Sequence, residues 1–256
     1  ELREAINKMT KGKTGRSLTV EHLLGLEDEE LRPWLTITAM IFAGEAVDEI
    51  KLGTVAPQPK DHERFRPITL LEPIYKACMA WMSSRLLRLL FDHKLLDESQ
   101  YGFVLDGSCI EPLSIVNTMY EHARAQERPL HCVFLDATSA FDSVPHTALD
   151  IALRRLGAPE DYITWLRSML NGHHRAVKTS YDVSDNDEAQ RLGAGTPQGC
   201  PASPVVWALI VDLALSYAAA AGGLGYELDN ADMSARVRNL AYADDLSGFD
   251  GDHEGL

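Results

Sequence analysis

Two adjacent carboxylates lie between two short apolar runs in the segment Val237-Arg238-Asn239-Leu240-Ala241-Tyr242-Ala243-Asp244-Asp245-Leu246-Ser247-Gly248-Phe249. The apolar residues on either side predict two short strands joined by a tight acidic turn. Neighbouring acids at the tip of a hairpin repel each other unless a cation neutralises them. An Asp-Asp pair also serves as an ordinary polar turn, so this segment alone leaves both interpretations open.

Another carboxylate directly follows a strand further upstream. The run His131-Cys132-Val133-Phe134-Leu135 is apolar and leads straight into Asp136. Carboxylate oxygens are ligands that Mg²⁺ prefers, and two such ions about 3.5–4 Å apart stabilise the attacking and leaving oxygens of phosphoryl transfer. Asp136, Asp244 and Asp245 are therefore candidates for a metal site.

A loop dense in glycine and proline, Gly195-Thr196-Pro197-Gln198-Gly199-Cys200-Pro201-Ala202-Ser203-Pro204, precedes the most apolar run of the chain. Glycines allow a ligand to approach the backbone, and the Gln198 amide offers both a donor and an acceptor. Such a loop by itself is also common as a plain connection. The run over residues 205–221 is barely long enough to span a membrane, and inserting Asp212 would cost about 2.5–3.5 kcal/mol. We therefore expect a buried core helix and no membrane.

The rest of the chain alternates helices with short strands. Three prolines limit how central the strands of the first hairpin can be. The predicted elements are a hairpin over residues 51–71, helices over 73–96 and 109–126, one or two helices over 146–171 with an interruption at residues 157–159, and an acidic hairpin over 174–192 with Asp185-Asn186-Asp187 at its turn.

Composition narrows the function classes. Hydrophobic residues make up 45% and charged residues 24% of the 256, which is typical of a globular protein. Four widely spaced cysteines, without a CxxC pair, argue against a disulfide framework or a zinc site and favour a reducing compartment. The net charge of −14 argues weakly against nucleic-acid binding, although residues 1–16 carry five bases against two acids.

Together these segments resemble the reverse transcriptases, in particular those of non-long-terminal-repeat retrotransposons, with group II intron enzymes as relatives. Residues 134–144, 195–204 and 241–245 are similar to their three catalytic motifs in order. Three upstream segments match as well: residues 66–71 with Tyr75-Lys76 resemble the fingers motif, residues 100–103 the segment before the first catalytic motif, and residues 11–16 the basic entry segment. The resemblance covers nearly the whole chain, whereas any single motif would be weak.

The resemblance implies an α+β fold with the right-hand arrangement of polymerases. Fingers and connecting helices would cover residues 1–130, and a palm with an antiparallel sheet backed by helices would cover residues 131–256. The thumb of the family is missing from this sequence, so we expect the chain to be truncated before it.

The resemblance also implies a role for individual residues. Asp136, Asp244 and Asp245 would be catalytic and would hold two Mg²⁺ ions, for which Mn²⁺ can substitute, with the Ala137 carbonyl as a further ligand. Lys60 and Arg66 would hold the triphosphate, Phe141 would lie against the sugar and exclude a 2′-hydroxyl, and Gln198 with Gly199 would contact the incoming nucleotide and the template. From the residues alone, Phe141 could also be a core side chain, and Lys60 could be a solvated lysine.

The implied function is RNA-directed DNA synthesis, by attack of a primer 3′-hydroxyl on the α-phosphate of a deoxynucleotide. Its partners would be an RNA template, a DNA primer and deoxynucleoside triphosphates, inside the cell as a ribonucleoprotein in the nucleus or cytoplasm. One alternative is a catalytically inactive or domesticated copy that binds RNA or a protein, although all three acids are present. Another is a generic Mg²⁺-dependent phosphotransferase or nuclease, whose own motifs the sequence lacks. Oligomeric state is left open.

Overall fold

The computed structural model describes residues 2–9, 19–43, 48–60, 64–178, 190–191, 193–222, 225–229 and 234–252. The chain divides into two compact units, each built from two stretches of sequence. The first unit comprises Glu1–Leu86 and Phe141–Ser203, and the second comprises Leu87–Ala140 and Pro204–Leu256. The division into fingers and palm at residue 130 follows the family's functional names and stays a prediction.

The described elements are mixed helices and short strands, as the predicted fold class requires. In chain order they are α1 (Leu2–Asn7), α2 (Val20–Gly25), α3 (Arg32–Phe42), a 3₁₀ turn (Asp48–Lys51), β1 (Leu52–Pro59), β2 (Phe65–Leu70), α4 (Pro73–Asp92), α5 (Ile110–Ala125), β3 (His131–Asp136), α6 (Ala140–Ser143), α7 (His146–Arg155), α8 (Glu160–Leu170), β4 (His174–Val177), β5 (Gln190–Arg191), α9 (Ser203–Ala221), β6 (Tyr226–Asp229), β7 (Ser234–Val237), β8 (Asn239–Tyr242) and β9 (Asp245–Asp250).

The first unit contains the predicted hairpin, in which β1 and β2 pair antiparallel from Thr54–Leu70 to Pro59–Phe65. The sequence did not reveal that β1 also pairs in parallel with β4, which places β1 inside a sheet of order β2-β1-β4-β5. Pro57 and Pro59 are compatible with this position because β4 pairs only with residues 52–55 of β1. The predicted hairpin over 174–192 is present as β4 and β5, and its turn lies outside the described residues.

The structure corrects one predicted helix end and confirms one predicted interruption. Helix α4 ends at Asp92 rather than near residue 96, because Lys94 takes a positive φ of 49°, which a helix cannot continue. The interruption predicted at residues 157–159 is confirmed, since Gly157 has a φ of 78° and separates α7 from α8. In both places the helix ends where a residue takes a positive φ.

The second unit is built on the antiparallel sheet of order β3-β9-β8. Helix α5 packs on this sheet through Met119 and Ala123, which form a buried cluster with Leu240 and Phe249. This arrangement agrees with the predicted antiparallel sheet backed by helices. A separate two-stranded ribbon is formed by β6 and β7.

Helix α9 corresponds to the apolar run predicted to be a core helix. Among the described residues it is the one helix whose length and composition would allow it to cross a membrane, a property that core helices share. Its first half is buried, including Asp212, which accepts a hydrogen bond from the Asp97 peptide N–H at 2.7 Å. Its last residues, from Tyr217 onwards, are exposed, so the prediction of a core helix holds only for the first half.

Candidate active site

The acidic hairpin is formed by β8 and β9, in which Tyr242 pairs with Asp245 across a two-residue turn. The turn consists of Ala243, with a φ of +56°, and Asp244. A two-residue turn in which the first central residue has a positive φ and the second does not is a type II′ turn. This turn type favours glycine at the first central position. Ala243 therefore holds a strained backbone beside Asp244, and such strain persists only where the surrounding structure enforces it.

Residues 99–102 pack directly against this hairpin. The Tyr101 peptide N–H donates to the Ala241 carbonyl, and the Ala241 N–H donates to the Ser99 carbonyl, both at 2.8 Å. A Cβ atom on Gly102 would lie 1.9 Å from the Ala243 nitrogen, so only glycine fits there. The segment that the resemblance placed before the first catalytic motif thus lines the hairpin that carries Asp244.

An indole also contacts the turn. The Nε1–H of Trp207, on α9, donates to the Ala243 carbonyl at 2.8 Å, and the Trp207 side chain is buried. The first turn residue is therefore fixed at its nitrogen side by the approach of Gly102 and at its carbonyl by Trp207.

The register of the central sheet brings Asp136 and Asp245 together. Asp136, the last residue of β3, lies opposite Asp245, the first residue of β9. Residues directly opposite in an antiparallel pair share one face of the sheet, with Cβ atoms about 4.5–5.5 Å apart. Asp244 immediately precedes Asp245 in the turn, so the three predicted carboxylates meet at one end of the sheet.

The three carboxylates are exposed. Within the described part of the chain, none of these carboxylates forms an ion pair or accepts a hydrogen bond from another residue. As the side chains stand, no three His, Cys, Asp or Glu residues within the described ranges form a cluster that could hold a metal ion. The donor set nevertheless fits Mg²⁺, because paired carboxylate oxygens at a strand end are hard ligands whose mutual repulsion a cation relieves.

The carboxylate-bearing face of the sheet continues into an apolar cavity. Phe134 lies opposite Ser247 on this face, and its side chain is 70% exposed. Together with Leu113, Tyr242 and Asp245, Phe134 lines a cavity of about 220 Å³. Asp245 thus lies between this apolar cavity and the acidic turn.

In the first unit, the glycine-rich loop is hydrogen-bonded to the last residues of the first motif. The Thr196 N–H donates to the Phe141 carbonyl at 2.7 Å, and the Gly195 N–H donates to the Val144 carbonyl at 2.8 Å. A Cβ atom on Gly195 would lie 2.4 Å from the Asp142 carbonyl oxygen, which explains the glycine. Phe141 is half-buried.

The carboxylate of Asp142 joins two other side chains of this unit. Both terminal nitrogens of Arg175 donate to one oxygen at 3.1 Å, and the Gln198 amide nitrogen donates to the other at 3.3 Å. Arg175 is nearly buried, which strengthens the ion pair relative to one in water. The Gln198 side chain is therefore oriented by the Asp142 carboxylate.

The remaining substrate-binding predictions also fall in the first unit. Gly199 has a φ of +117°, and a Cβ atom there would lie 2.5 Å from the Thr69 carbonyl oxygen, while the Thr69 N–H donates to the Gln198 carbonyl. Lys60 and Arg66 are exposed on the β1–β2 hairpin, where the Lys60 N–H donates to the Arg64 carbonyl at 2.8 Å. Their exposure leaves both cations accessible to an anion. The basic segment over residues 11–16 lies outside the described residues.

A buried polar cluster supports the loop from beneath. His173 contacts the Lys51 carbonyl through Nδ1 at 3.0 Å and the Tyr75 hydroxyl through Nε2 at 2.9 Å. Burial lowers the pKa of His173 to about 4, although hydrogen bonds to backbone carbonyls oppose the shift. Burial also raises the pKa of the neighbouring Tyr75 and Cys200, so all three groups are neutral at pH 7.

Sequence reasoning missed three residues that support the predicted site. Gly102, Arg175 and Trp207 were not singled out for these contacts, because each contact depends on a pairing between distant segments. One signal was available for Arg175. An arginine in the short strand sequence His174-Arg175-Ala176-Val177 is expected to form an ion pair if the strand is buried. Gly102 and Trp207 gave no comparable signal.

Comparisons with known proteins agree on one family. Residues 58–250 match the family described as reverse transcriptase (RNA-dependent DNA polymerase). The chain is 28% identical over 251 residues to the retrovirus-related Pol polyprotein from type-1 retrotransposable element R2 of Bradysia coprophila, covering 96% of this chain and 27% of that protein. It is 27% identical over 194 residues to the Pol polyprotein from type-2 element R2DM of Drosophila melanogaster, covering 76% of this chain and 17% of that protein. The chain thus spans about a sixth to a quarter of the length of these curated relatives.

The fold is similar to that of telomerase. The structure of apo telomerase from Candida tropicalis, truncated from its C-terminal domain, has a TM-score of 0.52 to this chain at 12% identity. The match covers 93% of this chain and 50% of that one. At this level of identity the likeness concerns the fold alone.

Proposed function

This chain belongs to the reverse transcriptase (RNA-dependent DNA polymerase) family, and we propose that it forms the fingers and palm of a polymerase from a non-long-terminal-repeat retrotransposon. The observation that carries the proposal is the register that sets Asp136 opposite Asp245, with Asp244 in the adjoining turn. A copy that only binds RNA or protein could lose any of these carboxylates without penalty. This chain retains all three.

We assign the divalent metal site to the end of the central sheet. Asp136, Asp244 and Asp245, with the Ala137 carbonyl, would hold the two Mg²⁺ ions, or Mn²⁺ in their place. When bound, the ions would stabilise the charge that develops on the attacking and leaving oxygens during nucleotidyl transfer. The protein's part is to hold the carboxylates in place before the substrate arrives, which is the purpose of the strained turn.

The contacts to the nucleotide would come from the residues to which the family resemblance gives this role. Lys60 and Arg66 would donate to the triphosphate, for which the arginine fork is suited. Phe141 would lie against the sugar, and Gln198 with Gly199 would contact the base pair that forms with the RNA template. The primer 3′-hydroxyl would attack the α-phosphate, forming the new phosphodiester bond and releasing pyrophosphate. With an RNA template as partner, the protein would act as a ribonucleoprotein in the nucleus or cytoplasm.

A primer-extension assay tests this proposal. The chain is incubated with a DNA primer annealed to an RNA template, deoxynucleoside triphosphates and Mg²⁺, at primer–template concentrations that saturate binding. Asp136→Asn is the test variant, and Asp161→Asn, an exposed acid in the first turn of α8, is the matched control.

The expected result is template-dependent extension by the wild type and by Asp161→Asn, with a loss of at least about 10³-fold in Asp136→Asn. Saturated primer–template without any extension would overturn the polymerase proposal and would support the inactive RNA-binding module instead. Equal activity of wild type and Asp136→Asn would show that this carboxylate does not serve the chemistry.

A further inference from the structure

The strain in the acidic turn needs a cause outside the turn itself. Ala243 has a positive φ of 56°, a conformation that an alanine does not adopt freely. Unless something else holds the turn, the peptide that precedes Asp244 would relax and carry that carboxylate away from Asp136 and Asp245. The metal site, as proposed above, therefore depends on whatever fixes Ala243.

Two described neighbours restrain Ala243 from opposite sides. Gly102 approaches its nitrogen so closely that no Cβ atom fits between them. Trp207 donates its indole N–H to the Ala243 carbonyl at 2.8 Å. Gly102 acts by steric exclusion through the backbone, whereas Trp207 acts through a side-chain hydrogen bond, which the substitution Trp207→Phe removes.

The hydrogen bond from Trp207 is well placed to set the orientation of the turn. Trp207 lies in the buried first half of α9, and its side chain is 7% exposed, so its indole cannot swing into solvent. The accepting carbonyl belongs to the peptide that links Ala243 to Asp244, and the orientation of this planar peptide decides where the Asp244 Cα atom and its carboxylate lie. A rigid donor aimed at this oxygen therefore selects the orientation.

We infer that Trp207 is a positioning residue for the metal site: it holds the Ala243–Asp244 peptide in its observed orientation and so presents the Asp244 carboxylate for metal binding. The inference rests on the proposed function, because it concerns the same carboxylates. Partners that orient metal ligands commonly change metal affinity by about 10–100-fold when they are removed. Trp207 acts on the peptide rather than on the carboxylate, so we expect an effect of about tenfold, at the low end of that range.

The chain offers a matched control in Trp165. Its Nε1–H also donates to a backbone carbonyl, that of Ile41, at 2.9 Å, and its side chain is 5% exposed. Trp165 belongs to the first unit, whereas all three carboxylates belong to the second. Trp207→Phe and Trp165→Phe thus remove the same kind of bond from equally buried sites, and only one of them touches the acidic turn.

The experiment is a Mn²⁺ titration of the wild type and both variants, with binding measured by isothermal titration calorimetry. Thermal unfolding of all three proteins is measured in the absence of metal. We expect both variants to lose some thermal stability, and Trp207→Phe alone to bind Mn²⁺ about tenfold more weakly. If Trp207→Phe does not fold, replacing the indole by benzothiophene at position 207 keeps its shape without the N–H.

The outcomes separate the two claims. If the wild type binds Mn²⁺, Asp244→Asn does not, and Trp207→Phe binds like the wild type, then the inference about Trp207 is wrong and the metal site stands. If both tryptophan variants weaken Mn²⁺ binding equally, the effect is general destabilisation, and the inference is again wrong. If the wild type does not bind Mn²⁺, the proposed metal site itself fails.

Discussion

Asp136 lies directly opposite Asp245 in the antiparallel ladder of β3 and β9, although the two residues are far apart in the sequence. In the described part of the chain, no cation forms an ion pair with either carboxylate. Two like charges at one end of a sheet, next to a third in the adjoining turn, destabilise the protein unless a cation neutralises them. Such a cost is retained where it serves a function. Metal binding is the purpose that we propose for them.

Removing one of these charges should not harm the metal-free protein. We expect Asp244→Asn to leave the free energy of unfolding unchanged or to raise it by up to about 1 kcal/mol, because like-charge repulsion is relieved. The stabilisation that Mg²⁺ gives to the wild type should disappear in the variant. Thermal unfolding with and without Mg²⁺ measures both effects. A strong loss of stability in metal-free Asp244→Asn would show that the side chain is structural.

A methyl group at position 102 should displace the acidic turn. A Cβ atom on Gly102 would overlap the Ala243 nitrogen, and a backbone atom cannot move aside as a side chain can. We expect Gly102→Ala to lower the free energy of unfolding by about 3 kcal/mol or more and to weaken Mn²⁺ binding.

The control for that variant is Gly25→Ala. Gly25 ends α2 and does not have a positive φ, and a Cβ atom added to it would meet no described atom within 4 Å. Its replacement should change stability by less than about 1 kcal/mol in either direction. Chemical denaturation of the two variants side by side gives the comparison, and equal stabilities would contradict the close approach of Gly102 to the turn.

Acid should destabilise the first unit through His173. Its pKa is about 4 in the folded chain and about 6.5 when unfolded, so the unfolded chain binds more protons between these pH values. The free energy of unfolding therefore falls as the pH drops from about 6.5 to about 4, by up to about 3 kcal/mol in total. Urea unfolding at several pH values measures the slope. His173→Gln should flatten it and the exposed His93→Gln should not, so an unchanged slope in His173→Gln would refute this origin.

Sugar choice should depend on Phe141. The ring is half-buried, and its backbone is fixed by the hydrogen bond from Thr196. Replacing the ring by a smaller side chain opens room for a 2′-oxygen, so Phe141→Val should raise the ratio of ribonucleotide to deoxynucleotide incorporation by about tenfold or more. Single-nucleotide extension on an RNA template measures this ratio. Phe91→Val, at an exposed position of α4, is the control. An unchanged ratio in active Phe141→Val would return this residue to an ordinary packing role.

Local signals were sufficient to predict most of the elements. The acidic hairpin, the β1–β2 hairpin and the break between α7 and α8 each depend on turn residues and on apolar patterns within a few positions. The three carboxylates could be predicted because strand ends and turns are visible in the sequence. The family resemblance then supplied roles that the pattern alone left open.

Contacts between distant segments could not be predicted in the same way. The parallel pairing of β1 with β4, the approach of Gly102 to Ala243 and the bond from Trp207 all depend on how remote segments align. A single sequence carries no signal for such alignment, because a glycine or a tryptophan is compatible with many neighbours. The strain at Ala243 was hidden for the same reason, since alanine ordinarily avoids a positive φ.

The most direct test of the central claim is a crystal structure of this chain with Mn²⁺, with the ions located by their anomalous scattering. We predict an ion bound by carboxylate oxygens of both Asp136 and Asp244, at about 2–2.5 Å, with Asp245 beside it. The two ligating carboxylates should then lie within about 5 Å of each other. Anomalous density elsewhere but not at these residues, or Asp136 and Asp244 more than about 10 Å apart, would contradict the assignment of the active site.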